Sequence, residues 1–226
     1  MHMTKLKIVA ILAWIAFDSS MLFSQDLTKK LLLLDKAANG VEINQSIDYD
    51  SLYFAKYYAE KDWFEWFKVV CVKSNTVIWS AEPDSAIRNS LGMRILKGTI
   101  IRLQNYACPI LEIYDASHRG NGSFRLFTIQ NQTLNSVFAE EHAVDADYEM
   151  TGFYQDSSQV FKNGYLKSFY QDINSDGFLD LVLRDTIIFY KGDEIKEIKA
   201  IGMLPCERRF IWDSKKQTFI KSSSSD

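Results

Sequence analysis

Asp172-Ile173-Asn174-Ser175-Asp176-Gly177-Phe178-Leu179-Asp180-Leu181-Val182-Leu183 carries side-chain oxygens at its first, third, fifth and ninth positions and glycine at its sixth. That is the front of a calcium loop, D-x-[DN]-x-[DN]-G. A hard cation takes many oxygen ligands at roughly 2.3–2.6 Å. Alternate residues of a tight turn point toward one centre, so the expected ligands are Asp172, Asn174, Asp176, the Phe178 carbonyl and Asp180. Gly177 supplies the positive φ of the sharp turn. Position 12 is Leu183, where an EF-hand has a bidentate Glu. A plain Asp/Asn/Gly turn that hydrogen-bonds to itself is the competing reading.

The flanks decide the fold. Tyr165 to Tyr170 alternates and is aromatic, and Asp180 to Leu183 leaves the loop in the same way. Both read as strands rather than helices. The loop resembles that of FG-GAP/VCBS-type repeats of integrin-like propellers, and Ile187 to Asp193 resembles the next strand and turn of such a blade. The resemblance covers about thirty residues, in one copy, whereas propellers repeat the unit. It implies calcium on Asp172, Asn174, Asp176, the Phe178 carbonyl and Asp180. Single loops of this kind also occur in small secreted bacterial proteins resembling lysozyme inhibitors or effector-immunity proteins.

Outward from the loop, strand and turn signals recur. Val69 to Val72 and Thr76 to Trp79 flank Lys73-Ser74-Asn75 as a hairpin. Thr99 to Leu103, Ile110 to Tyr114 and Phe124 to Ile129 are further strands. Ser117 to Ser123 is expected as an exposed Gly-rich hairpin tip. Lys162-Asn163-Gly164 reads as a turn, Ile187–Tyr190 as pairing with Glu194–Ile198, and Phe210–Trp212 as pairing with Thr218–Ile220. Short helices are expected over Leu27–Ala38, between Pro83 and Gly92, and, ambiguously, over Leu134–Val144. Phe54, Tyr57 and Tyr58 in the aromatic run Ser51 to Trp66 stand at helical spacing. Core packing against a sheet is preferred there over a carbohydrate platform. The fold class is mainly β: an antiparallel sandwich, barrel or small propeller with a few short helices.

The chain begins with a basic segment, an apolar run from Ile8 to Phe17 and a Leu22-Phe23-Ser24 site, the layout of a secretory signal over residues 1–24. The run is shorter than the about 20 residues of a membrane span, and no later stretch is long and apolar enough to span. A single β-rich domain is expected over residues 25–221, with a frayed tail over residues 222–226. Composition is 47% hydrophobic and 14% aromatic, enough for a sizeable core. A net charge of -3 gives no electrostatic case for nucleic acid. Export to the periplasm or exterior makes a disulfide available, and the proline-flanked Cys108 and Cys206 are the expected pair, with Cys71 in a buried strand.

Catalytic signatures are missing. Histidines are His2, His118 and His142, and no G-x-S-x-G, H-E-x-x-H or Walker sequence occurs. Asp145 to Glu149 is a second acidic stretch, read first as a solvated loop. The expectation is an exported, non-enzymatic, calcium-stabilised protein that binds a protein or glycan. The alternatives are a periplasmic inhibitor or immunity protein that presents the Ser117–Ser123 loop, and a hydrolase whose paired carboxylates sequence does not expose.

Overall fold

The computed structural model describes residues 25–59, 65–91, 94–116, 121–143, 160–191 and 199–222. Helix α1 covers residues 25–34. The first sheet is a meander of β1 Gly40–Gln45, β2 Leu52–Tyr58, β3 Glu65–Lys73 and β4 Thr76–Ala81, followed by α2 Ser85–Ser90. The middle sheet holds β5 Arg94–Ile101, β6 Ile110–Ala116, β7 Asn121–Gln130 and β8 Thr133–Ala143. The third holds β9 Val160–Gln171, β10 Asp180–Lys191, β11 Lys199–Asp213 and β12 Thr218–Lys221. Each sheet is four-stranded and antiparallel, each strand pairs with its neighbour in sequence, and none closes into a barrel. The protein is a layered β sandwich with short helices.

The layers explain the sequence pattern. In β2, Leu52 and Phe54 face the middle sheet and share one core with Phe67 and Val69 of β3 and with Ile95, Leu111, Ile113 and Phe127 of the middle sheet. Tyr53, Ala55 and Tyr57 face the other way, onto Leu27 and Leu31 of α1. With both faces buried, β2 loses the apolar-polar alternation of a half-wet strand. Its aromatics therefore fall at helical spacing although the segment is a strand, and they pack the core as expected. The central strands β6 and β7 of the middle sheet are likewise buried on both faces. Ile110, Phe124, Leu126 and Phe138 point to the third sheet and meet Leu181, Leu183, Phe210 and Trp212.

Two buried carboxylates inside these layers find donors within the protein. Buried Glu112 accepts from Tyr170 Oη at 2.7 Å and Ser168 Oγ at 2.9 Å, across the gap between the middle and third sheets. Burial, and after it the Glu112 charge, holds the Tyr170 and Tyr114 phenols above their usual range, so both remain donors. Buried Asp115 accepts from Ser123 N and Oγ and from Arg125 Nε at 3.1 Å.

Several expectations change. Leu134–Val144 is not a helix: Thr133–Ala143 forms β8, entered through Asn131 and Gln132, both at positive φ. This two-residue turn has the backbone of the Ser74–Asn75 turn but lacks a glycine signal. Lys162-Asn163-Gly164 lies inside β9, paired with Ile187–Phe189. Ile187–Tyr190 pairs with Ala200–Leu204 instead of Glu194–Ile198, because β10 and β11 continue as long strands. Residues 194–198 lie outside the described residues. The first helix stops at residue 34, and Gly40 opens β1. Ser123 is buried in β7 and so is not part of an exposed tip, while residues 117–120 of the expected tip lie outside the described residues. Ser222 is tied down by its N–H on the Arg209 carbonyl at 2.8 Å.

The thiol of Cys108 is free, so the expected bridge to Cys206 is not formed. Cys108 lies within electrostatic reach of Tyr49, which packs on the core of the first and middle sheets, whereas Cys206 lies in β11 opposite Asp185. The two cysteines belong to different layers. The expected signal over residues 1–24 and the acidic stretch over residues 145–149 lie outside the described residues. Among the described residues no helix is long and apolar enough to cross a membrane.

Gly98 of β5 lies against the Phe54 ring of the first sheet. A Cβ there would overlap the ring of Phe54. Gly98→Ala is expected to cost about 1–3 kcal/mol by overpacking. Phe54→Leu should cost less in the Gly98→Ala background than in the native one. Denaturant titration of the two single variants and the double variant measures this, and strictly additive losses would show that the pair does not meet.

Candidate metal loop

The β9–β10 hairpin ends at the pair Gln171–Asp180, leaving residues 172–179 as its loop. Ser175 and Gly177 take positive φ, 59° and 88°, and fold the loop back on itself. Only glycine adopts the second value without strain. The side-chain oxygens then meet backbone N–H groups. Asp172 Oδ1 accepts from Asp176 N at 3.1 Å, and Asp172 Oδ2 from Gly177 N at 2.9 Å. Asn174 Oδ1 accepts from the same Asp176 N at 3.1 Å. Asp176 Oδ1 accepts from Phe178 N, and its Oδ2 from Asn174 Nδ2, both at 2.9 Å.

Two oxygens on one N–H must lie close together, so Asp172, Asn174 and Asp176 are gathered at the front of the loop, where all three are exposed. Phe178 is half-buried. Asp180 stands differently. Its side chain is fully buried, with Oδ2 on Ile173 N at 2.9 Å and Oδ1 on Trp212 N at 2.8 Å. It ties the loop's first turn to β11. The sequence places Asp180 among the ligands, and the structure gives it this anchoring duty as well. The side chain of Asp185, an outer-ligand candidate, lies outside the described residues.

Two residues that sequence reading missed hold the loop from the middle sheet. Asn105 donates its side-chain amide to the Gly177 carbonyl, and Tyr106 Oη donates to the Leu179 carbonyl at 2.7 Å. Both sit in the β5–β6 connection, where Asn105 takes φ 67°. The Tyr106 ring also lies 5.9 Å from Phe178 and 4.7 Å from Trp212. Burial, and after it the charges of Asp180 and Asp176, suppresses the acidity of Tyr106 and keeps its hydroxyl a donor. Both residues lie more than seventy positions upstream of their partners. No local spacing rule could have joined them.

The donor set is chemically suited to a hard cation: carboxylates, an amide oxygen and a backbone carbonyl. Each carboxylate oxygen has two lone-pair sites, so one N–H bond leaves room for a metal. The same bonds would equally hold a metal-free turn. Among the described residues no group of three or more His, Cys, Asp and Glu side chains is assembled that could hold a metal ion.

Asp180→Asn should cost about 1–3 kcal/mol, because one of the two backbone N–H groups on this buried carboxylate loses its acceptor. Asp172→Asn, at an exposed position where water can substitute, should cost about 0.5 kcal/mol or less. Urea denaturation in chelator compares them free of metal effects. Equal losses would mean that Asp180 is not the anchor. No family model, no curated protein and no solved structure matches this chain.

Proposed function

We propose that the protein is an exported, non-enzymatic binding or recognition protein in which Asp172, Asn174, Asp176, the Phe178 carbonyl and Asp180 bind one calcium ion. The observation that carries this reading is the clustering of the Asp172 and Asn174 oxygens on a single N–H at the solvent-facing front of the loop. With Asp176 beside them, the front carries two carboxylates close together, and their repulsion is relieved by a divalent ion.

The role of the ion is structural. The loop is gripped by Asn105 and Tyr106 of the middle sheet and tied through Asp180 to β11 of the third. Calcium would stiffen this junction. No terminal Glu closes the coordination shell, so the affinity falls in the range of extracellular modules, roughly 10⁻⁴–10⁻³ M. An exported protein meets calcium at that level, and the basic-apolar start of the chain supports export. The sheets then serve as a rigid scaffold for a binding face.

At ten times the dissociation constant, calcium should stabilise the fold by about 1.4 kcal/mol, from RT ln(1 + [L]/Kd). For a domain of this size that is a rise in Tm of about 3–6 °C. Chelator should reverse the rise, and Asp176→Ala should abolish it. Calorimetry at millimolar calcium that finds no binding, together with melting curves indifferent to chelator, would leave a plain turn.

A further inference from the structure

No core cluster of the described residues lies over the outer face of the third sheet, though Val182 at its centre is 1% exposed, whereas α1 covers the outer face of the first. The pairing register puts Phe169, Val182 and Arg209 side by side across three strands on that face, and beside them Lys167, Arg184 and Glu207. Phe169 and Ile220 on that face are each 41% exposed. The Arg184 guanidinium stacks 4.9 Å from the Phe169 ring centre.

Glu207 holds two arginines at once. Arg184 Nε lies 2.8 Å from Oε2, and Arg209 Nε and Nη2 each lie 2.7 Å from Oε1. The two arginine side chains are 57% and 48% exposed. Both Nη groups of Arg184 and one of Arg209 are directed to no acceptor among the described residues. Lys167 adds a third exposed cation beside them. Asp213, a further acid at the end of β11, is engaged with Lys215 N, Lys216 N and the Lys216 ammonium in its own turn. A chain of net charge -3 thus presents a locally cationic face. Stacking and the shared carboxylate fix the forks in advance, which lowers the entropy lost when they bind.

We propose that this face docks an acidic segment of a partner protein, its carboxylates on Arg184 and Arg209 and its apolar side chains on Phe169 and Ile220. Planar guanidinium forks match carboxylates bidentately. The exposed rings and aliphatic side chains beside them call for apolar groups, which a bare phosphate lacks. This inference rests on the reading of the protein as a binding module and names its surface.

The test uses a fluorescein-labelled peptide of alternating Asp and Leu, with an Asn-Leu peptide and phosphatidylserine vesicles as comparisons. Fluorescence anisotropy should show the Asp-Leu peptide binding about tenfold or more tightly than the Asn-Leu peptide. The affinity should fall as salt rises. Arg184→Ala combined with Arg209→Ala should lose about tenfold. Glu207→Gln, which removes the competing carboxylate, should hold or tighten binding, and it decides the matter if the double variant does not fold. No binding, equal binding of the two peptides, weaker binding by Glu207→Gln, or capture by vesicles alone would overturn the proposal. Peptide binding that persists in chelator while calcium fails to shift Tm would defeat the calcium reading and leave this one standing. A calcium shift without peptide binding would do the reverse.

Discussion

Two strands with hardly a wet face govern this structure. The central strands β6 and β7 of the middle sheet are covered on one side by the first sheet and on the other by the third, while the edge strands β5 and β8 keep exposed residues. A strand so covered has little solvent to offer its polar side chains. Glu112 and Asp115, both buried, must therefore find donors inside the protein. Glu112 has no cation beside it among the described residues and relies on hydroxyls from β9. Those hydroxyls belong to the third sheet, so the carboxylate also dictates how that sheet is laid down. A slip of β9 by one residue would turn Ser168 and Tyr170 away and leave a buried charge unsatisfied.

The loop over residues 172–179 depends on the same layering. Its internal hydrogen bonds are local and would form in any chain with this spacing of Asp, Asn and Gly. Its placement is not local. Tyr106 reaches it from the β5–β6 connection and closes an aromatic cluster with Trp212 and Phe219. Asp180 reaches the other way, under the loop, to β11. One short segment is thus fastened to two sheets.

What the sequence disclosed follows from range. The hairpins at Ser74–Asn75 and at Asp213–Gln217, the helix capped by Asp84 and the turn at Gly177 all rest on contacts within a few residues. They were legible because turn and cap chemistry is local. The strand identity of β2 was not, since burial on both faces erased its alternation. The β7–β8 turn was hidden because Asn131-Gln132 adopts a backbone normally announced by glycine. The front of the candidate site, Asp172 to Asp176, was readable from spacing. Its supports, Asn105 and Tyr106, were not, because tertiary packing alone brings them there. The Cys108–Cys206 pairing failed for a related reason: proximity to proline says nothing about which layer a cysteine occupies.

The strictly sequential order of strands has a kinetic consequence. Every strand pairs with its neighbour along the chain, so each sheet is assembled through short loop closures, with little entropy lost per contact. A lone four-stranded meander here still has an apolar face and nowhere to bury it. Pairing within a layer should thus be fast and reversible, and commitment to the native state should come with collision between layers. The middle layer takes part in both collisions. A nascent chain that has delivered only the first sheet and β5 holds no more than part of that sheet's cover. Ordering of the first sheet must then await the arrival of β6 and β7, so its folding trails its own synthesis by two strands.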